Sequence, residues 1–219
     1  YPDSEYTEDI SAKLAVSYQE SGRAGEAAEE FERIAVAEGS DEAVRREALW
    51  KAAELYQQGG QAQDEVRVLD SLIERYPNPI AESIEARFRL LELAESRNDQ
   101  PARNQILRDL IQVDATAGPQ RSDRTRSLAA SASLELAEPI RRSFMAMTLS
   151  QPLAESMKLK RSLMEEVLSV YGDAAAYGIA DVTPAATCHR GGVCQQRGSD
   201  LMDCERPPEL DELALEEYE

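Results

Sequence analysis

The chain has 219 residues, of which 42% are hydrophobic and 5% aromatic, and its formal net charge is −18. This charge disfavours nucleic acid and anionic membrane surfaces as partners, because proteins bind both through clustered lysine and arginine. No apolar run reaches the roughly 20 residues that span a bilayer, so we expect no membrane insertion. Alanine, leucine, glutamate and arginine are abundant, and these strong helix formers predict an all-α fold.

From the N-terminus, three stretches of sequence superimpose when they are shifted by 38 residues, so that Tyr18, Tyr56 and Ala94 fall in register. Each stretch holds two segments with apolar residues at i, i+3, i+4 and i+7, separated by a short polar break. This pattern predicts a helical hairpin, which buries its apolar face by stacking on neighbouring hairpins. We place the three hairpins at residues 6–40, 44–78 and 82–116.

The first unit has a pattern of large, small, aromatic and turn residues, namely Leu14, Ala15, Tyr18, Gly22, Ala27 and Phe31. In this pattern the hairpins resemble the tetratricopeptide repeat (TPR) family. The second unit keeps Tyr56 and Gly60 but has Glu65 where the family prefers alanine, and the third lacks both the tyrosine and the turn glycine. The resemblance implies a TPR-like α-solenoid of antiparallel hairpins over residues 1–118. A generic antiparallel helix bundle is the alternative, since helical periodicity alone would fit it.

The resemblance also implies a binding groove, because the first helix of each TPR hairpin lines the concave surface. The positions projected into it are Ala12, Val16 and Gln19, then Trp50, Glu54 and Gln57, and then Phe88, Glu92 and Glu95. From these we select as partner-binding residues Gln19, Trp50, Glu54, Gln57, Phe88, Glu92 and Glu95.

Aromatic residues ringed by polar groups suit a protein interface. Glu54 and Glu92 stand where some TPR adaptors place groups that clamp a peptide carboxylate, so the groove favours a basic or amidated ligand instead. The alternative for Trp50 and Phe88 is that they pack between hairpins or against the long helices that follow.

Beyond Gly118 the pattern changes, and residues 119–172 predict a long helical hairpin with its turn at residues 151–152. Pro139 should kink or split the first of these helices, because it removes one backbone donor. This part of the chain is locally basic. Its cations bind an acidic partner, pair with the acidic repeats or lie on solvated faces, and they include Arg141, Arg142, Lys158, Lys160 and Arg161.

Residues 173–219 predict an irregular segment followed by the start of a further helical repeat. The chain begins at Tyr1 without methionine and ends in mid-helix by pattern, so we expect a piece of a longer protein. Residues 177–187 and 203–213 resemble large, envelope-associated TPR proteins of Gram-negative bacteria. That resemblance implies a periplasmic setting and a role in assembling envelope machinery, with a cytoplasmic location as the alternative.

The candidates for a metal site are Cys188, His189, Cys194 and Cys204. Structural zinc sites usually hold their ligands in tight CxxC-like knuckles, and none occurs here, so we expect no metal. The sequence also lacks a glycine-rich phosphate loop, a nucleophile elbow and a histidine-based acid–base pair. We therefore expect neither catalysis nor a cofactor.

The sequence thus predicts a non-catalytic scaffold that binds a segment of another protein or peptide in the groove of a TPR array, within a cell-envelope complex. One alternative is a structural spacer in a longer solenoid, which would self-associate through exposed repeat ends. A second alternative is a metal-binding module built on the cysteines and His189.

Overall fold

The computed structural model describes residues 7–37 and 41–202. Within these ranges the chain forms nine α-helices, one short 3₁₀ turn and no strand. The helices are α1 (Thr7–Glu20), α2 (Ala24–Val36), α3 (Glu42–Gln58), α4 (Ala62–Arg75), α5 (Ile80–Ser96), α6 (Gln100–Thr116), α7 (Asp123–Ala146), α8 (Leu153–Ala176) and α9 (Val182–Met202). The predicted all-α architecture of helical hairpins followed by longer helices is confirmed.

The chain divides into two compact units, Tyr1–Thr125 and Arg126–Glu219. Unit 1 contains α1 to α6 and the first residues of α7, and unit 2 contains the rest of α7 with α8 and α9. The domain boundaries that we placed after residues 118 and 172 stay predictions.

Three tight turns of the same geometry connect the helices within the hairpins of unit 1. At the centre of each turn stands a residue of positive φ, which is Gly22 at 73°, Gly60 at 69° or Asn98 at 54°. In every turn this residue donates to a carbonyl three positions back at 3.0–3.1 Å, and the next residue donates to a carbonyl five positions back at 2.9 Å. These two bonds define a Schellman motif, which satisfies the free carbonyls of a helix end. Asparagine also tolerates this conformation, so the third unit keeps its turn without the glycine.

Side-chain caps mark the beginnings of two helices in unit 1. The carboxylate of Asp41 accepts a hydrogen bond from the amide of Ala43 at 3.1 Å, at the start of α3. Asp99 caps α6 in the same way through the amide of Ala102. Each cap satisfies a backbone donor that a helix otherwise leaves free. The caps therefore mark the start of α3, the first helix of the second hairpin, and of α6, the second helix of the third hairpin.

The core of unit 1 repeats at the 38-residue spacing. Apolar side chains 38 residues apart on the second helices are buried, as Ile34, Leu72 and Leu110 illustrate, together with Leu69 and Leu107. Stacked hairpins share this core, which removes the apolar face of each helix from water. The packing thus follows directly from the periodicity of the sequence.

Polar side chains join neighbouring hairpins of unit 1. The Tyr56 hydroxyl donates to the carboxylate of Glu32 at 2.6 Å, and Arg67 donates to the same carboxylate at 2.5 and 2.8 Å. Glu65, at the position where the TPR pattern has alanine, is buried and forms an ion pair with Arg89 of the next hairpin at 2.6 Å. A buried charge is tolerated only with such a partner, so the departure from the family pattern has a structural reason.

In unit 2, helices α7, α8 and α9 bury a second core that includes Ala137, Phe144, Val167 and Val193. Of the kink or split predicted at Pro139, the split does not occur, since α7 is one helix from Asp123 to Ala146, and the kink stays a prediction. A proline removes a single backbone donor, and the buried residues on both sides of Pro139 hold the helix together.

Within residues 173–219, where we expected an irregular segment and the start of a further helical repeat, α9 runs without interruption from Val182 to Met202. Val182, Ala186 and Val193 occupy the buried face, and the His189 ring, in the same stripe, stacks on Tyr171 at 5.3 Å between centroids. A helix interior tolerates glycine at a cost of about 1 kcal/mol each. Packing against α8 offsets this cost for the glycines of α9.

The basic side chains of unit 2 are largely paired with acids of the same unit. Arg141 and Arg142 both donate to Glu138, at 2.7 and 3.1 Å. Arg161 pairs with Glu165 at 2.8 Å, and buried Lys160 pairs with Asp200. These cations are therefore paired within the unit and do not form a free basic surface.

The hydrogen bonds from Arg141, with those from Arg142, hold the pKa of Glu138 well below its ordinary value, at about 2. A depressed folded-state pKa gives stability that is present above the unfolded pKa of about 4.5 and is lost as the pH falls through about 2. We expect the Glu138 carboxyl carbon to titrate near pH 2 in a ¹³C NMR experiment. Arg141→Gln should move this midpoint towards 4.5, and an unchanged midpoint would show that the ion pair is not formed.

Candidate protein-binding surface

The exposed face of the first helices carries the nine residues projected into the groove. We call it the first-helix face, and its members are Ala12, Val16 and Gln19 on α1, Trp50, Glu54 and Gln57 on α3, and Phe88, Glu92 and Glu95 on α5. Within each helix these positions are separated by four and three residues, which places them on one side. All are exposed except Trp50 and Phe88, which are half-buried.

The sole tryptophan of the chain, Trp50, packs its inner edge on the core of unit 1. Its neighbours along the same side of α3, Glu54 and Gln57, are exposed. A half-buried indole flanked by exposed polar groups is compatible with both a packing role and a binding role. The assignment of Trp50 to partner binding stays a prediction.

Phe88 is covered on one side by a cation that the sequence did not reveal as part of the surface. The guanidinium of Arg124, at the start of α7, lies 4.9 Å from the centroid of the Phe88 ring. Arg124 is held there by two hydrogen bonds to Glu85, at 2.8 and 3.0 Å, and this pairing raises its pKa above the ordinary value. The cation–π contact presents a charged and apolar patch beside Glu92.

Two of the glutamates on the first-helix face already have cationic partners. Glu54 pairs with Lys51 at 2.9 Å, and Glu95 pairs with Arg103 at 3.1 Å. Lys51 lies three residues before Glu54, so helical spacing alone could have revealed it. Exposed pairs of this kind contribute roughly 0–1 kcal/mol, and an incoming cation can replace Lys51 or Arg103 at little cost.

A further ion pair joins α3 to α5 beside this face. Arg46 of α3 donates to Glu82 of α5 at 2.8 Å, and both residues are partly buried. The pair ties the second hairpin to the third at the N-terminal ends of their first helices.

The family model described as tetratricopeptide repeat matches residues 47–79, which cover most of α3 and all of α4. The chain contains a tetratricopeptide repeat. This match confirms the TPR resemblance at the second predicted unit, 44–78, including the retained Tyr56 and Gly60. Tetratricopeptide repeats are generally interaction modules that bind other proteins.

Two solved structures are similar to the chain in their helical repeats. One is the putative kinesin light chain TPR-like repeat protein of Podosopora anserina, which is 14% identical to the chain. The match covers 98% of this chain and 95% of that chain, with a TM-score of 0.43. The other is MamA from residue 41 to its end, from Desulfovibrio magneticus RS-1, with 17% identity, coverage of 90% and 98%, and a TM-score of 0.40. No curated protein matches the sequence. At these TM-scores the similarity carries no conclusion about function.

The cysteine-containing segment lies on α9. Cys188 and Cys194 are exposed free thiols, and His189 is occupied in its stack on Tyr171. Cys204 lies outside the described residues. Over the described part of the chain, no group of three or more histidine, cysteine, aspartate and glutamate side chains has the arrangement of a metal site. The expectation that the chain binds no metal stays a prediction.

None of the described helices is both long enough and apolar enough to span a bilayer.

Proposed function

We propose that the chain is a non-catalytic scaffold that binds a segment of another protein along the first-helix face. The observation that carries this proposal is the pair of half-buried aromatic residues, Trp50 and Phe88, at equivalent positions of successive hairpins, each followed by exposed polar residues. Aromatic anchors surrounded by polar groups are typical of interaction hot spots. Repeat arrays bind extended segments along such continuous surfaces.

The partner segment is proposed to be basic. Glu54, Glu92 and Glu95 are exposed on the face, and the whole chain carries a net charge of −18. An acidic surface attracts a cationic segment and raises its rate of association at low salt. Lysine or arginine of the partner would replace Lys51 and Arg103 as partners of the glutamates, and its apolar groups would cover Trp50 and Phe88.

Selection from a random peptide library against the full chain tests this proposal. We expect the enriched peptides to be rich in lysine and arginine and to change the fluorescence of Trp50 on binding. Trp50→Ala/Phe88→Ala should weaken binding at least tenfold. The matched control is Val36→Ala/Leu159→Ala, which removes two exposed apolar residues outside the face and should leave the affinity unchanged.

Circular dichroism will show whether the aromatic variant retains its helices. If it does not, Gln57→Ala/Glu92→Ala removes only exposed groups of the same face and serves in its place. Glu54→Lys/Glu92→Lys should weaken basic peptides and remove their sensitivity to salt. Equal affinities for the face variants and the control pair would contradict the proposal.

A periplasmic setting within a cell-envelope complex is part of the proposal. Its support is the resemblance of residues 177–187 and 203–213 to envelope-associated TPR proteins, and the second of these segments lies outside the described residues. Fractionation of cells that express the full-length gene product tests it. Recovery of the protein with cytoplasmic markers, and not with periplasmic ones, would rule this location out.

A further inference from the structure

The third hairpin of unit 1 contains a cavity at the position where the second hairpin has a tyrosine ring. Ala94 stands 38 residues after Tyr56, in the same register of the repeat. A cavity of about 360 Å³ opens beside Ala94, between α4, α5 and α6. Its apolar walls include Val66, Ile73, Leu90 and Ile106.

The second hairpin shows what this space holds when the tyrosine is present. Tyr56 is 2% exposed, and its hydroxyl donates to Glu32 of the preceding hairpin at 2.6 Å. Arg67 donates to the same carboxylate from α4. The Tyr56 ring thus fills the space between the first and second hairpins. Its hydroxyl shares the Glu32 carboxylate with the Arg67 guanidinium.

The third hairpin retains the polar partners of this arrangement. Shifted by 38 residues, Asp70 takes the place of Glu32, and Gln105 takes the place of Arg67. Both line the cavity, with Asp70 exposed at its rim. Partial desolvation by the surrounding side chains raises the pKa of Asp70, as expected for a carboxylate without a strong donor. An acceptor and an apolar space are therefore present, while the phenol is missing and the Gln105 amide donates to Asp109 at 2.9 Å instead of to Asp70.

The charges around the rim favour a neutral aromatic ligand over an ion. Arg87 and Arg97 line the cavity together with Asp70, Asp99 and Asp109, so the acids and the cations nearly balance. An engineered apolar cavity of roughly 150 Å³ is large enough to bind benzene. The space beside Ala94 therefore has room for a phenol ring.

We propose that this cavity binds the tyrosine side chain of a partner protein, with the ring between Ile73, Leu90 and Ile106 and the hydroxyl donating to Asp70. The partner's residue would complete the third hairpin as Tyr56 completes the second. This site goes beyond the proposed function, because no residue of the first-helix face lines the cavity. Either site can therefore fail in experiment without the other.

Titration of the full chain with p-cresol, the side chain of tyrosine, tests the site. We expect one saturable equivalent, with methyl NMR shifts at Ile73, Leu90 and Ile106. Ala94→Tyr should fill the cavity, raise the melting temperature and weaken p-cresol binding at least tenfold. Ala81→Tyr is the matched control, since Ala81 is exposed on the same helix and its replacement should leave binding unchanged.

Ala94→Leu fills part of the same space and replaces Ala94→Tyr if that variant does not fold. A chain that binds no p-cresol, or a filled variant that binds it as well as the native chain, overturns the proposal. In that case the cavity is only a packing defect of the third repeat.

A pair of capped tripeptides, Gly-Tyr-Gly and Gly-Phe-Gly, tests the role of the hydroxyl. The tyrosine peptide should bind about tenfold more tightly, because a hydrogen bond to a charged acceptor is lost with phenylalanine. Asp70→Ala should remove this preference. Equal binding of the two peptides to the native chain would overturn the assignment of a tyrosine.

Discussion

Replacing Glu65 with alanine, the residue that the TPR pattern prefers there, is expected to lower the free energy of unfolding by about 3 kcal/mol. The Glu65 carboxylate is buried and is held by Arg89 at 2.6 Å across the boundary between the second and third hairpins. Its removal leaves the Arg89 guanidinium without its counter-charge in a largely buried position. The Arg89 side chain is still 19% exposed, so water can reach part of it and keeps the cost near the lower end of the range for such pairs.

Urea denaturation followed by the fluorescence of Trp50 measures this change in the part of the chain concerned. Glu65→Gln, which keeps the shape and one acceptor, should lose less, about 1–2 kcal/mol. Glu65→Ala/Arg89→Leu should recover most of the loss, because an apolar pair of similar volume often replaces a buried ion pair without destabilisation. If Glu65→Ala alone proves as stable as the native chain, the ion pair does not hold the hairpins together.

Replacing Lys160 with alanine is expected to destabilise unit 2 by about 3–5 kcal/mol. The Lys160 side chain is buried, and its ammonium pairs with Asp200 of α9 and donates to the carbonyl of Met147. It also lies 5.1 Å from the centroid of the Phe144 ring. Without the cation, Asp200 remains a largely buried and unpaired carboxylate, and the carbonyl of Met147 loses its donor.

Lys158 supplies the matched control, because it is an exposed lysine two residues away on the same helix. Lys158→Ala should change the stability by no more than about 0.5 kcal/mol. Hydrogen exchange of the amides in α8 and α9 is the appropriate measurement, since it reports on unit 2 separately. Equal exchange rates in the two lysine variants would mean that the ion pair with Asp200 contributes nothing.

The helical hairpins of unit 1 could be predicted because their signals are local. The apolar spacing within each segment defines a buried face, and the 38-residue register aligns Tyr18, Tyr56 and Ala94 without reference to any other part of the chain. The turn at Asn98 was less evident, because the sequence shows only that glycine is missing. Its positive φ and its hydrogen bonds show that asparagine forms the same turn.

The start and continuity of α9 could not be predicted, for the opposite reason. Its buried stripe includes His189 and the half-buried Asp200, which interrupt the apolar pattern that periodicity detects. Their partners, Tyr171 and Lys160, belong to α8. From sequence alone, a buried polar residue is predicted to be exposed when the group that contacts it lies in another part of the chain.

For the candidate surface, the sequence indicated which residues share the exposed side of α1, α3 and α5. It did not indicate that Arg124 lies over Phe88, since 36 residues and a further helix separate the two. Nor could it show whether the missing tyrosine at position 94 leaves a space or allows the hairpins to close. Only the packed structure shows that the space remains.

The sequence by itself determined the helices and the chemistry of their exposed faces, because both depend on apolar spacing within each helix, and the 38-residue repeat determined how the helices pair into hairpins. Tertiary structure decided the partners of the buried charges, the contact of Arg124 with Phe88 and the cavity beside Ala94. Each of these features brings together side chains from different hairpins or helices. Their energies depend on desolvation and on the fit between packed surfaces, which arise only when the chain folds.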